Sequence, residues 1–291
     1  RQLDNGGEVV LLAASELAAR FPWLKADDLG GAILGVGGEG WFEPRKALDA
    51  VRRGAETAGA DLVQDEVIGI DVEDASVRRV RMASGDALEC TIVVDAAGPK
   101  AAAVAALAGV EIPIESRKRT VFVFRPSESV GELPNLVDPT VAGRGMYMRP
   151  YDDAFMAVTA PPPERDPDTS DLEPDLDLFD EVLRGALAHR IKGFEHVDVV
   201  ETWAGHYELN TFDQNAIIGP HPDVAGLYLA CGFSGHGVMH APATGRGIAE
   251  LVTMGAYQTL DLSAFSVDRI ARGDKLDDIQ PSEVRKQRAG L

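Results

Sequence analysis

Apolar and polar positions change their period several times along the chain. Ser15 followed by Glu16–Phe21 reads as a short capped helix stopped by Pro22, and Gly30–Leu34 as a short strand leading into Gly35-Val36-Gly37-Gly38-Glu39-Gly40. Pro44 opens a strongly amphipathic helix over Arg45–Ala58, where its missing N–H does no harm, and Gly59 ends it. Strand-like runs follow over Asp61–Val72, Val77–Met82 and Leu88–Val94, with a turn at Ser84-Gly85-Asp86. Asp95-Ala96-Ala97-Gly98-Pro99 closes the last run, and an Ala-rich helix reaches Ala108 before Gly109. From Ile112 to Ala160 the pattern turns to alternation, with Val121–Phe124 and Gly145–Arg149 as strands, which predicts an antiparallel sheet. Pro161–Asp180 is rich in proline and acid and reads as a solvated loop entering a helix over Phe179–Ile191. The last third predicts strands at Val197–Trp203 and Leu227–Cys231, a glycine-rich loop, a long helix over Val238–Met254 and a charged tail.

Composition narrows the partners. The chain has 291 residues with 28 Lys+Arg against 47 Asp+Glu, a formal charge of -19. Such a field repels nucleic acid and anionic lipid, while a local arginine still admits a small anionic substrate. No run is long and apolar enough for a spanning helix, the start has no signal-peptide pattern, and Gln2–Glu8 reads like the middle of a protein. Two cysteines, Cys90 and Cys231, make no disulfide framework; we expect both reduced and buried, in a cytoplasmic protein.

Three motifs fail on their context. Gly35–Gly40 matches G-x-G-x-x-G, but Trp41-Phe42-Glu43-Pro44 separates it from the helix whose N-terminus would meet a pyrophosphate. Gly232-Phe233-Ser234-Gly235-His236 is a nucleophile elbow with histidine where glycine is needed. Cys231, His236 and His240 lack a convincing fourth metal donor beyond His221 or Asp223, so no metal site is expected. What remains is Gly226–Gly247: an apolar strand, a loop with Gly232, Gly235 and Gly237, and a helix whose early face is small. Glycines let backbone N–H groups approach a flat or anionic ligand, and the helix N-terminus adds partial positive charge. The same pattern also describes a tight strand-to-helix turn without a ligand.

This segment resembles the C-terminal flavin loop and helix of the D-amino-acid oxidase superfamily, the group with glycine oxidase, sarcosine oxidase and dimethylglycine dehydrogenase. Phe42-Glu43-Pro44, Gly59–Ile70, Val93–Gly98 and Asn210–Pro222 agree in the family's order. Trp203–Tyr207, Phe233–Gly237 and Tyr257–Leu262 resemble in particular the branch tied to assembly of a respiratory complex. The resemblance implies an α/β fold: a Rossmann-like FAD-binding domain, incomplete at its N-terminus, with an antiparallel-sheet α+β substrate domain. Residues 41–110 and 205–265 would form the first, 1–40 and 111–204 the second, and 266–291 a tail. The family's opening βαβ unit, with its G-x-G-x-x-G and ribose-holding acid, would precede Arg1, and a chain starting there is expected to bind FAD weakly or not at all.

The family's roles carry over residue by residue. Val67 matches the strand residue beside the adenine, Ala97-Gly98 the turn near the middle of FAD, and Gly232, Phe233, Ser234, Gly235, His236, Gly237 and Val238 the loop around the flavin pyrimidine. His206 stands where sarcosine oxidases carry their flavin-linked cysteine, so non-covalent FAD is expected. The implied activity is oxidation of a small amine, amino acid or 2-hydroxy acid by hydride transfer to flavin N5; the alternative is a flavoprotein scaffold for a respiratory complex with little turnover. Tyr147 and Arg149 share one face of a candidate substrate strand, where Arg149 suits either a bidentate carboxylate clamp or an exposed structural role. His236 is expected beside the flavin as a proton or charge partner. Met239 stands where the sarcosine-oxidase branch has an oxygen-activating lysine, which implies a dehydrogenase passing electrons to a quinone or protein acceptor.

Overall fold

The computed structural model describes residues 3–276. In chain order the elements are β1 (Val9–Ala13), α1 (Ala14–Arg20), β2 (Gly31–Gly35), α2 (Pro44–Thr57), β3 (Val67–Glu73), β4 (Ser76–Met82), β5 (Ala87–Glu89), β6 (Val93–Asp95), α3 (Ala101–Leu107) and β7 (Ile114–Pro126). There follow β8 (Leu136–Asp138), β9 (Met146–Tyr151), β10 (Ala154–Thr159), α4 (Arg184–Arg190), β11 (Val197–Asn210), β12 (Ile217–Pro220), β13 (Leu227–Cys231), α5 (Gly237–Met254) and α6 (Asp268–Arg272).

Two compact units divide these elements: one draws on the chain up to Leu62, Arg119–Arg165 and Glu173–Gly205, the other on Val63–Lys118, Asp166–Leu172 and the chain from His206. The expected division had put residues 41–62 with the flavin domain. Instead α2 buries no side chain, and Trp41 lies against the Arg149 guanidinium, 5.0 Å from it, within the first unit.

The first unit is built on a sheet in the order β11-β7-β10-β9-β8, antiparallel from β7 through β8. Alternation sorts its side chains. Phe122, Phe124, Met146, Met148, Phe155 and Ala157 turn to one face and pack with Phe179, Leu183, Leu187 and Phe194. Val121, Val123, Ala154, Met156, Val158 and Tyr151 occupy the other, with Trp203 against them. Pairing of Arg149 with Met156 and of Tyr147 with Val158 sets both candidate substrate residues on that second face. Below the sheet Arg190, only 2% exposed, is held by Asp138 and Asp28, each at 2.7 Å. The Arg190 guanidinium drives the Asp28 carboxyl far below its usual range.

In the second unit β12, β13 and β6 form one sheet, with β13 antiparallel to β12 and parallel to β6, while β3, β4 and β5 form an antiparallel meander. Ile70, Val77, Ala101, Ala105, Ile114, Ile217, Leu227, Leu229 and Cys231 make its main core. The ion pair of Arg269 with Asp213, at 3.0 Å and with both side chains nearly unexposed, ties α6 to the loop before β12.

Several expectations are corrected here. Ser15 does not cap α1; the cap is Ala13, whose N–H donates to Glu16 at 2.7 Å. The run 61–72 is a strand only from Val67, and Leu88–Val94 is two strands in two sheets, because β5 pairs with β4 while β6 pairs with β13. The strand at Val197 continues past Trp203 to Asn210. Of the small residues on α5, Gly247 alone is crowded, with a Cβ there meeting Leu262 Cδ1 at 2.6 Å, whereas nothing lies within 4 Å of one at Gly245. Cys231 is buried but Cys90 only half so, and both thiols are free. Residues 266–276 are folded rather than tail; the rest of the expected tail, 277–291, and residues 1–2 lie outside the described residues.

Candidate functional site

The apolar β13 ends at Cys231, buried so deeply that its thiol stays protonated well above the usual range. The chain then turns through left-handed conformations at Gly232 (φ 75°), Ser234 (φ 47°) and Gly235 (φ 90°) before α5 begins. A side chain at Gly235 would meet the Tyr207 ring at 2.8 Å, so only glycine fits between the turn and that ring. The first N–H groups of α5 have no intrahelical acceptors, and they emerge beside Val238 and Met239, 55% and 60% exposed.

The loop is gripped from β11. Glu208 accepts the N–H of Gly232 at 2.6 Å and of Phe233 at 3.2 Å, the Asn210 N–H donates to Ser234 Oγ at 3.0 Å, and Tyr207 Oη donates to the Ser234 carbonyl. Burial raises the Glu208 pKa against the pull of its two N–H donors. The His236 and His240 rings stack 5.8 Å apart on the first turns of α5, with Phe233 beside His240. Burial, and then the His236 charge, lowers the pKa of His240.

At the end of β6, in the same unit, Asp95 is 1% exposed. Its Oδ1 accepts the Ala97 N–H at 3.1 Å, and its buried Oδ2 has no hydrogen-bond partner among the described residues. Burial raises its pKa to about 6, with the Glu208 charge adding to the rise and the Ala97 N–H opposing it. Gly98 follows in a left-handed turn at φ 58°. An orphaned buried acceptor beside a glycine turn, with a glycine loop and a helix N-terminus on the parallel neighbour strand, fits a ligand with hydroxyl groups and a flat, electron-poor ring.

Each expected residue has a definite place. Ala97, Gly98 and the Gly232–Val238 loop follow paired parallel strands in the second unit, and Val67 opens β3 there, exposed. His206 bonds Ser116 Oγ through Nδ1 at 3.0 Å. Tyr147 and Arg149 belong to the first unit. Arg149 lies over the rings of Trp41 and Tyr151, at 5.0 and 5.4 Å, and donates one N–H to the Pro150 carbonyl. Among the described residues no carboxylate pairs with it. Burial raises the pKa of Tyr147 while the Arg149 charge draws it down. Sequence reasoning missed Tyr207, Glu208, Asn210 and Asp95. The signal for Glu208 and Asp95 was an acid inside or at the end of an otherwise apolar strand.

A family profile described as FAD dependent oxidoreductase, DAO, matches residues 1–251. The chain belongs to this family. It is 36% identical over 309 residues to FAD-dependent oxidoreductase domain-containing protein 1 of Bos taurus, covering 94% of this chain and 62% of that protein. It is 26% identical to the mitochondrial sarcosine dehydrogenase of Mus musculus, over 91% of this chain and 29% of that protein. Among solved structures, L-proline dehydrogenase from P. horikoshii superposes with a TM-score of 0.82 at 26% identity, over 94% of this chain and 72% of that one. The chain thus spans under two thirds of the length of these two curated relatives. The fold is that of the DAO flavoproteins, and FAD is the cofactor of the family.

Proposed function

We propose that the chain forms the flavin loop and substrate sheet of an FAD-dependent dehydrogenase acting on a small carboxylate-bearing amine, amino acid or 2-hydroxy acid. The observation that carries this reading is the strained glycine loop between β13 and α5, ending in a helix N-terminus, in a chain of the DAO family. Ala97, Gly98 and the Gly232–Val238 loop would hold FAD, non-covalently, because His206 offers no thiol and is bonded to Ser116. FAD, when bound, supplies the acceptor for the substrate's hydride. The names of two relatives, sarcosine dehydrogenase and L-proline dehydrogenase, support an amine with a carboxylate.

Arg149 binds and orients that carboxylate. Its guanidinium is already fixed by Trp41 and Tyr151, so little conformational freedom remains to be lost on binding. Tyr147, one step along the same face, lines the substrate's side. The N-terminus of α5 stabilises negative charge at the ligand's acceptor edge, and His236 sits at its entry as a proton partner. A cytoplasmic site of action belongs to this reading, supported by two unpaired cysteines.

A steady-state screen of N-methyl amino acids, D-amino acids and 2-hydroxy acids with an artificial acceptor tests the reading. Turnover of one class supports it; turnover of none, with a partner protein co-purifying, supports the scaffold role instead. Met239 carries the choice of dehydrogenase over oxidase, because a neutral thioether does nothing to stabilise superoxide. In photoreduced protein, Met239→Lys should speed aerobic flavin reoxidation about tenfold or more. Fast reoxidation of wild type, unchanged by the lysine, contradicts the assignment.

A further inference from the structure

Ser234 is 3% exposed and held at φ 47°, a conformation that a residue with a side chain seldom adopts unaided. Something outside the loop must hold it there. The groups that do so come from one stretch of β11: the Tyr207 hydroxyl on the Ser234 carbonyl, the Asn210 N–H on Ser234 Oγ, and the Glu208 carboxylate on two successive backbone N–H groups. Of these only Glu208 brings a charge, and it uses both oxygens, Oε1 for Gly232 and Oε2 for Phe233. Charge-assisted bonds of this kind are the stronger class. The charges bearing on Glu208 come from its own unit: Asp95 at the end of β6 repels it, and the two carboxylates together act on the Cys231 thiol, which Arg269 opposes.

We propose that Glu208 is the positioning residue of the cofactor loop, its two carboxylate oxygens holding Gly232 and Phe233 so that Ser234, Gly235 and the start of α5 are set to receive the flavin. The proposal rests on reading this loop as the flavin site. It carries a specific consequence: the N–H groups of Gly232 and Phe233 are spent on Glu208, and the donors left for the cofactor are the later ones of the loop and the first turn of α5.

Glutamine separates this role from simple packing. It has nearly the volume of glutamate but one acceptor oxygen, and its amide nitrogen would face an N–H donor. If Glu208 only fills space, Glu208→Gln is tolerated. If it clasps two N–H groups, Glu208→Gln fails almost as badly as Glu208→Ala. Amide hydrogen exchange of the full chain without flavin reads the clasp directly. Exchange at Gly232 and Phe233 should quicken by about tenfold in both variants, with Leu227–Cys231 of β13 unchanged. FAD titration followed by flavin fluorescence should show affinity about tenfold weaker in both.

Wild-type exchange and affinity in Glu208→Gln overturn the proposal. Loss of protection spread evenly over β13 and the loop overturns it as well, since Glu208 then serves general stability. Should wild type fail to quench flavin fluorescence at any concentration, as a chain without the family's opening βαβ unit would also do, the exchange arm alone judges the clasp.

Discussion

Asp95 illustrates how a single buried group sets a pH dependence. Its pKa is raised from 3.8 to about 6, chiefly by burial, so the fold disfavours its charged form. Below about pH 4 the group is protonated in both folded and unfolded chains and costs nothing. Between about pH 4 and 6 the unfolded chain ionises first, and by linkage stability falls by about 3 kcal/mol as pH rises. Asp95→Asn keeps an oxygen for the Ala97 N–H and removes the ionisation. We expect it to stabilise the chain by about 1–2 kcal/mol near neutral pH, less than the full cost because its amide N–H groups also lack a partner, and to flatten the acid-side slope. Urea unfolding from about pH 4 to about pH 7 checks both; an unchanged slope means that Asp95 stays ionised in the fold. Arg149 makes the corresponding case on the sheet of the first unit. Replacing it by methionine should cost about 2–4 kcal/mol in kcat/KM for a carboxylate substrate and leave FAD content unchanged. Kinetics within about twofold of wild type would make Arg149 structural, held for its stacking on Trp41 and Tyr151.

Among the elements, β13 and its approach are the most tightly specified. Gly226 precedes β13 at φ 84°, and a Cβ there would lie 2.1 Å from the Thr91 carbonyl oxygen, a backbone atom that has little room to move. The Gly226 carbonyl also accepts the Val93 N–H at 2.8 Å, which registers β6 against β13. Gly226→Ala should therefore destabilise the second unit by about 3 kcal/mol or more and expose Cys231 to thiol reagents. Near-wild-type unfolding would show that the β6–β13 pairing tolerates a shift. The elements legible in the sequence were those with a long period or strong punctuation: α2 between Pro44 and Gly59, α5 after its glycines, and the apolar β13. The short β8 and β12 were not, since three or four residues show no period. Reading Leu88–Val94 as one strand failed for another reason: β6 finds its partner in β13, more than a hundred residues on, and nothing local announces that pairing. The glycine loop and the Ala97-Gly98 turn were legible for their composition. The Glu208 clasp was not, because it joins residues 24 and 25 apart in sequence.

At the scale of the whole molecule, two units divide the chemistry. One offers an aromatic-flanked arginine on an apolar sheet face in a chain whose formal charge is -19, and the other a glycine loop at the head of a long helix. Among the described residues no carboxylate pairs with Arg149, and under the proposed reading its local charge would draw in a small carboxylate, while the general field keeps polyanions away. On that reading a carboxylate-bearing substrate is expected to be favoured over an amine of similar size that lacks the carboxylate. The most direct measurement is anaerobic: protein equilibrated with excess FAD is mixed with an N-methyl amino acid or cyclic imino acid, and the oxidised-flavin absorbance is followed, with the decarboxylated amine as control. Bleaching by the carboxylate-bearing amine at a rate that saturates with its concentration, and none by the control, is the predicted result. Bleaching by neither, or equally by both, would contradict it.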